Sequence, residues 1–285
     1  MRKLLIPALA ISVALAVAGI AYAANIYTVS GSTKPGGKGT PAKPLPVSLN
    51  FSYTVKDENP ANRGTPVEKY FIGAEGLVTY PEAFPSCSGA SDGANNEDLA
   101  KVKKACKKAR VGGGIIKAYA GPPTDQTTKL NCVLELNLYN LKPGKYNTNG
   151  GPVKITKKQG GLAIRIDGVQ AGIPDLSDKY KGKCAAAQNE SILAPYVQTK
   201  IKGVTSDELQ FTVPQSLLHV GPLETAVQEV TSQIAKRTAK KKIGGVQRTV
   251  GFYSSIGCKG GKRSIQVTFI SEAGQKTPKS RDGKC

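Results

Sequence analysis

The chain offers few residues suited to chemistry near neutral pH. Its one histidine is His219. "GASDG" (89–93) matches G-x-S-x-G, the turn that presents a serine nucleophile in α/β-hydrolases. That reaction needs Ser91 on a strand-to-helix turn, a histidine base and an acid behind it. Ser91 and His219 are therefore the catalytic candidates of a hydrolase reading. The motif follows "PSCS" rather than an apolar strand, and no alternation of strands and helices surrounds it. His219, in "SLLHVGP", also reads as a structural residue in apolar company. "DGANNED" (92–98) gathers oxygen donors, but its spacing departs from the calcium-loop pattern. Its Asn96, Glu97 and Asp98 are better placed to start a helix, with Asn96 as the cap. Glu135 and Asp167 are read on opposite-parity faces or at strand ends. No P-loop, dinucleotide fingerprint or paired-cysteine motif occurs, so no cofactor and no metal are expected.

A second kind of chemistry is electrostatic. "IAKRTAKKKIGG" (234–245) places Lys236, Arg237, Lys240, Lys241 and Lys242 within seven positions, with no acid between them. "KGGKR" (259–263) adds Lys259, Lys262 and Arg263. The whole chain carries 40 cations against 20 acids, a net +20. Such a balance attracts polyanions: anionic wall polymers, acidic polysaccharide, anionic lipid or nucleic acid. Only Phe252 and Tyr253 stand near these cations, so the interleaved aromatics of a specific nucleic-acid binder are missing. The alternative reading is a solvated edge. Residues 225–234 read as an edge strand, the lysines as a guard against edge-to-edge pairing, and Gly244-Gly245 as the reversal. On this reading the run is a ligand site if "KGGKR" lies beside it.

The elements that would position these groups are strands. "LPVSLNFSYTV" (45–55) alternates apolar and polar without error, and "LNCVLELNLYN" (130–140) does the same. So do 161–167, 208–213 and 263–271, with Pro and Gly turn signals between them. A first strand is expected at 25–30, joined by a Gly/Pro/Lys-rich linker (31–44). The fold class that follows is all-β, an antiparallel β-sandwich, whether as one large sandwich or two smaller domains. One helix, about 96–110, interrupts it, because Leu99, Val102, Cys106 and Ala109 recur at helical spacing.

Residues 1–23 read as a signal peptide: Arg2 and Lys3, an apolar run, then Ala21-Tyr22-Ala23. No second long apolar run follows, so no membrane span is expected after cleavage. The exported region, 24–285, holds all six cysteines, which an oxidising compartment reads as disulfides. The pairs expected are Cys87–Cys106 across the helix and Cys258–Cys285 across a hairpin. Cys132 and Cys184 then remain to pair.

"LQFTVPQSLLHVGP", "GFYSSIGCKGGKRSIQVTFISEAG" with its closing cysteine, and upstream "FPSC" and "VGGG" resemble a group of uncharacterised secreted proteins of high-GC Gram-positive bacteria. The resemblance covers most of the exported region. It implies an exported, disulfide-stapled all-β protein and transfers no activity and no site residue. The reading that results is a noncatalytic secreted or cell-surface protein with a structural or interaction role. The alternatives are a module binding anionic envelope polymers or polysaccharide, and an extracellular hydrolase. Composition and spacing leave the oligomeric state open.

Overall fold

Period-two alternation carries through to the three-dimensional structure. The computed structural model describes residues 25–148, 151–168 and 190–285. The expected signal peptide and Cys184, with its expected pairing to Cys132, lie outside these residues. In chain order the elements are β1 (Asn25–Lys34), β2 (Leu45–Asp57), β3 (Val67–Ala74), β4 (Leu77–Thr79), α1 (Leu99–Ala105), β5 (Arg110–Gly121), β6 (Leu130–Asn140), β7 (Gly144–Thr148) and β8 (Gly151–Ile155). There follow β9 (Gly161–Gly168), β10 (Glu190–Ile201), β11 (Val204–Thr212), α2 (Gln215–Leu218), β12 (His219–Val220), β13 (Leu223–Ile234), β14 (Thr238–Ile243), β15 (Val246–Gly251), β16 (Tyr253–Ser255), β17 (Lys262–Ser271) and β18 (Lys276–Lys284). Among the described residues no helix is long and apolar enough to cross a membrane.

Fourteen strands join one sheet in the order β18-β17-β3-β11-β10-β9-β6-β5-β13-β2-β16-β4, with β1 added on β2 and β12 on β13. Every ladder among the described strands is antiparallel, as the alternating sequence requires. The sheet folds over at β10. Residues 190–195 of that strand pair with β9 and residues 196–201 with β11. Two facing layers result, the sandwich expected from the sequence. At the far side β1 lies against β18.

The inward residues are the ones the alternation marks. Phe51, Tyr53 and Val55 of β2, Leu134, Leu136 and Leu138 of β6, and Ile265, Val267 and Phe269 of β17 are all buried in one core. Aromatic contacts tie the layers: Tyr27 stacks on Phe269 with centroids 4.2 Å apart, and Tyr53 meets Tyr70 at 5.5 Å. Each such pair adds about 0.5–1.5 kcal/mol beyond burial. A bulge at Gln228 resets the parity of β13, since the register passes from Val227↔Ala118 to Glu229↔Lys117. Gly114 of β5 has a second role, because a Cβ there would collide with the Thr231 carbonyl of β13.

The helix covers the outer face of β6, β9 and β10. Val102, Cys106 and Ala109 pack with Tyr139, Ala163 and Leu193 in a smaller apolar cluster. It is shorter than 96–110: α1 spans Leu99–Ala105, and a separate turn covers 107–109. Its cap is Asp98 rather than Asn96. The Asp98 carboxylate accepts from the amides of Ala100 (2.8 Å) and Lys101 (3.3 Å), while Asn96 supports Asp98 from one turn earlier. The disulfides Cys87–Cys106 and Cys258–Cys285 are both formed as expected. A further departure concerns 225–234. It is a strand, but β13 lies between β2 and β5 and is no edge. The expected linker is also shorter, because β1 continues through 31–34.

Candidate functional site

The lysine run forms a strand of its own. β14 pairs with β15 in a two-stranded ribbon turned at Gly244-Gly245, both at positive φ (55° and 81°). Alternation then separates the lysines. Lys240 and Lys242 face solvent, whereas Lys241 turns inward with Ala239 and Ile243. Its ammonium lies 4.8 Å from the centre of the Tyr80 ring and pairs with Glu82. Partial burial lowers its pKa from the ordinary lysine value. Arg237 works differently. Its guanidinium donates to the carbonyls of Lys108 (3.0 Å) and Arg110 (2.8 Å) and lies over Phe84. It pins the root of the ribbon to the turn after α1.

That clamp decides which cations converge. The neighbour of the run is the basic turn 107–110, with Lys107, Lys108 and Arg110 exposed beside exposed Lys236. "KGGKR" belongs instead to the start of β17, which pairs with β3 and β18. Arg263 is only 1% exposed and donates to Ser255 Oγ. Burial drives its pKa down to about 10, against the opposing pull of the Glu75 charge, so it stays a cation and a structural one. Lys259 and Lys262 are exposed at and just before the start of β17, which belongs to a different sheet from the ribbon. Arg263 thus leaves the surface set, because its alternate position on β17 turns inward.

Beneath the ribbon lies a polar cleft of about 450 Å³ between β4, β10, β11 and β14. Tyr80, Glu82, Lys158, Gln159, Gln198, Thr205, Asp207 and Lys241 line it. Asp207 is anchored: one oxygen accepts from the Thr79 amide (2.6 Å) and the Thr79 hydroxyl (2.9 Å). Burial still raises its pKa above the ordinary carboxylate value, the Thr79 bonds opposing. Tyr80 is raised as well, by burial first and then by the Asp207 charge. A ring face, two amides and two lysines balanced by two carboxylates in one concavity suit a ligand bearing hydroxyls.

The other candidates fall elsewhere. Ser91 is exposed in the turn before α1, and its carbonyl accepts from Asn96 Nδ2 (2.7 Å). His219, on β12, donates through Nε2 to Glu272 (2.7 Å). The two stand on elements held by different partners, so no serine–histidine pair forms. Glu135 and Asp167 depart from expectation in the opposite sense. They are direct cross-strand partners on the outer face of β6 and β9, because the register places them level. Arg165 Nε donates to Asp167 (2.8 Å), and its other nitrogens reach the Asn96 and Glu97 carbonyls. Lys103 pairs with Glu135 at 3.2 Å. The cluster fastens the helical cover to the sheet. Burial raises Asp167's pKa, and the Arg165 charge opposes that rise.

Sequence reasoning finds one residue of the cleft, Lys241. Asp207, Gln198 and Tyr80 come from segments as much as 100 residues and more apart and share no spacing. The one local signal is the parity of 239, 241 and 243. No protein-family model, curated protein or solved structure matches this chain.

Proposed function

We propose that this protein is an exported, noncatalytic binding module whose ligand is an anionic polymer or acidic polysaccharide of the cell envelope. The reading rests on one observation: Lys241 is seated over Tyr80 inside a polar cleft while Lys240 and Lys242, on the same strand, face the solvent. Lys241 faces the cleft and the outer lysines the opposite side of β14, so a charged chain that meets both passes round the edge of this strand. Export is supported by the leader-like residues 1–23 and the two disulfides.

Retention on purified anionic wall polymer, measured across salt concentration, tests the proposal. The triple variant Lys236→Gln, Lys240→Gln, Lys242→Gln should lower the slope of log affinity against log salt by roughly 2 to 3, about one for each phosphate no longer neutralised. Tyr80→Ala should weaken binding at every salt concentration. Retention that both variants leave unchanged refutes the proposal.

A hydrolase reading has one supporting observation, the raised Asp207 in a cleft with Glu82. Glu82 is held by Lys241, which opposes its use as a second acid. Release of new polymer ends by wild type, abolished in Asp207→Asn, would favour that reading over simple binding.

A further inference from the structure

The sandwich core is not filled. Between the layers runs an apolar cavity of about 140 Å³, walled by aliphatic and aromatic side chains of both layers. Native interiors seldom leave voids much larger than a water molecule. This one approaches the engineered apolar void, roughly 150 Å³, that stays dry and takes benzene. Its wall includes three successive inward residues on β6 and on β9, such as Leu134 to Leu138 and Leu162 to Ile166. At about 3.3 Å per residue those rows span roughly 13 Å. The lining thus extends along the strands over a length that matches a medium-length hydrocarbon chain. Tyr70 also lines it, its hydroxyl turned toward that of Tyr53.

The cavity has a polar neighbour. β10 and β11 pair only through 196–201 and 204–209; beyond Gln210 the two strands enter different layers with no ladder between them. At this seam lies an alcove of about 300 Å³ lined by Thr148, Lys154, Gln210 and Thr212 among others. Ile192 and Phe211 line both spaces. The apolar space and the polar alcove with its exposed lysine thus adjoin at Ile192 and Phe211, where β10 and β11 part.

We infer that the protein binds an anionic amphiphile, one hydrocarbon chain of it between the layers and its carboxylate or phosphate head in the alcove by Lys154. A free fatty acid and a membrane lipid both supply that chemistry. This site is separate from the cleft beneath the lysine ribbon and does not depend on it.

Methyl-labelled whole protein, stripped of lipid, is titrated with decanoate, and separately with phosphatidylglycerol vesicles. Saturable shifts of the Leu136, Ile164 and Ile192 methyls with decanoate support a free acid; shifts with vesicles alone support a membrane lipid. Unmoved core methyls in both arms overturn the inference, and this measurement needs no variant to fold. Leu136→Trp, which fills the slot, should weaken binding at least tenfold. Lys154→Gln should weaken decanoate severalfold and leave decanol unchanged. Equal losses for acid and alcohol, or no loss for either, overturn the placement of the head. Polymer retention is read independently, so either binding activity can fail alone.

Discussion

Arg63 shows how single residues hold this fold. Its side chain is fully buried and donates to Glu224 (2.8 Å) and to the Pro122 carbonyl (2.6 Å). The same guanidinium reaches the Asp125 carbonyl, so one cation fixes the 122–128 loop to the start of β13. Removing one partner of a buried pair strands the other charge, at a cost of about 3–5 kcal/mol. Arg63→Met should lower the urea midpoint by that equivalent, while Arg63→Met with Glu224→Leu should recover much of it. Asp207 gives a pH signature. Its folded pKa is raised, so the folded state holds a proton that the unfolded state has released. Stability attributable to this group falls as pH rises from the ordinary value of 3.8 through the raised folded value. Asp207→Asn, neutral throughout, should flatten that fall in denaturation series run from acid to neutral pH.

At the scale of elements, the β14–β15 ribbon presents an edge strand. β14 pairs with β15 alone among the described strands, and Lys240 and Lys242 point outward from it. Such lysines discourage pairing between molecules. Lys240→Val with Lys242→Val should raise the concentration-dependent mass seen by light scattering, without shifting the thermal midpoint much. The opposite edge is held covalently. Cys258–Cys285 closes a separation of 27 residues, worth about 3–4 kcal/mol on chain-entropy grounds. Cys258→Ser with Cys285→Ser should raise amide exchange in β18 before other strands. Much of this architecture is legible in the sequence. Alternation identifies β2, β6, β9, β11 and β17 as strands, with the inward faces of β2, β6 and β17, and helical spacing places Val102 and Cys106 against the sheet. What alternation does not encode is which strands become neighbours. That is why 225–234 looks like an edge in the sequence, why Glu135 and Asp167 look separate, and why the cleft around Asp207 leaves no local mark.

At the scale of the whole molecule, the two proposed binding sites differ in character. The ribbon side concentrates positive charge and a polar cleft; the interior offers a hydrocarbon slot with a single polar end. The net +20 acts on both, drawing anionic partners of any kind toward the surface before specific contacts form. Affinities measured at low salt would blur the two, and moderate ionic strength separates them.

The contact of β1 with β18 also has a temporal side. Residues 25–34 find their neighbours at the far end of the chain, where Gly283 approaches the Gly31 carbonyl and Cys285 Sγ stands 3.5 Å from the Gly37 carbonyl. A chain delivered from its N-terminus can pair β1 with β2 early but must leave the other side of β1 waiting until β18 has emerged. The seam can only be zipped afterwards. Truncation before β17 should therefore yield an open sheet with a sticky flank, rather than a smaller folded protein.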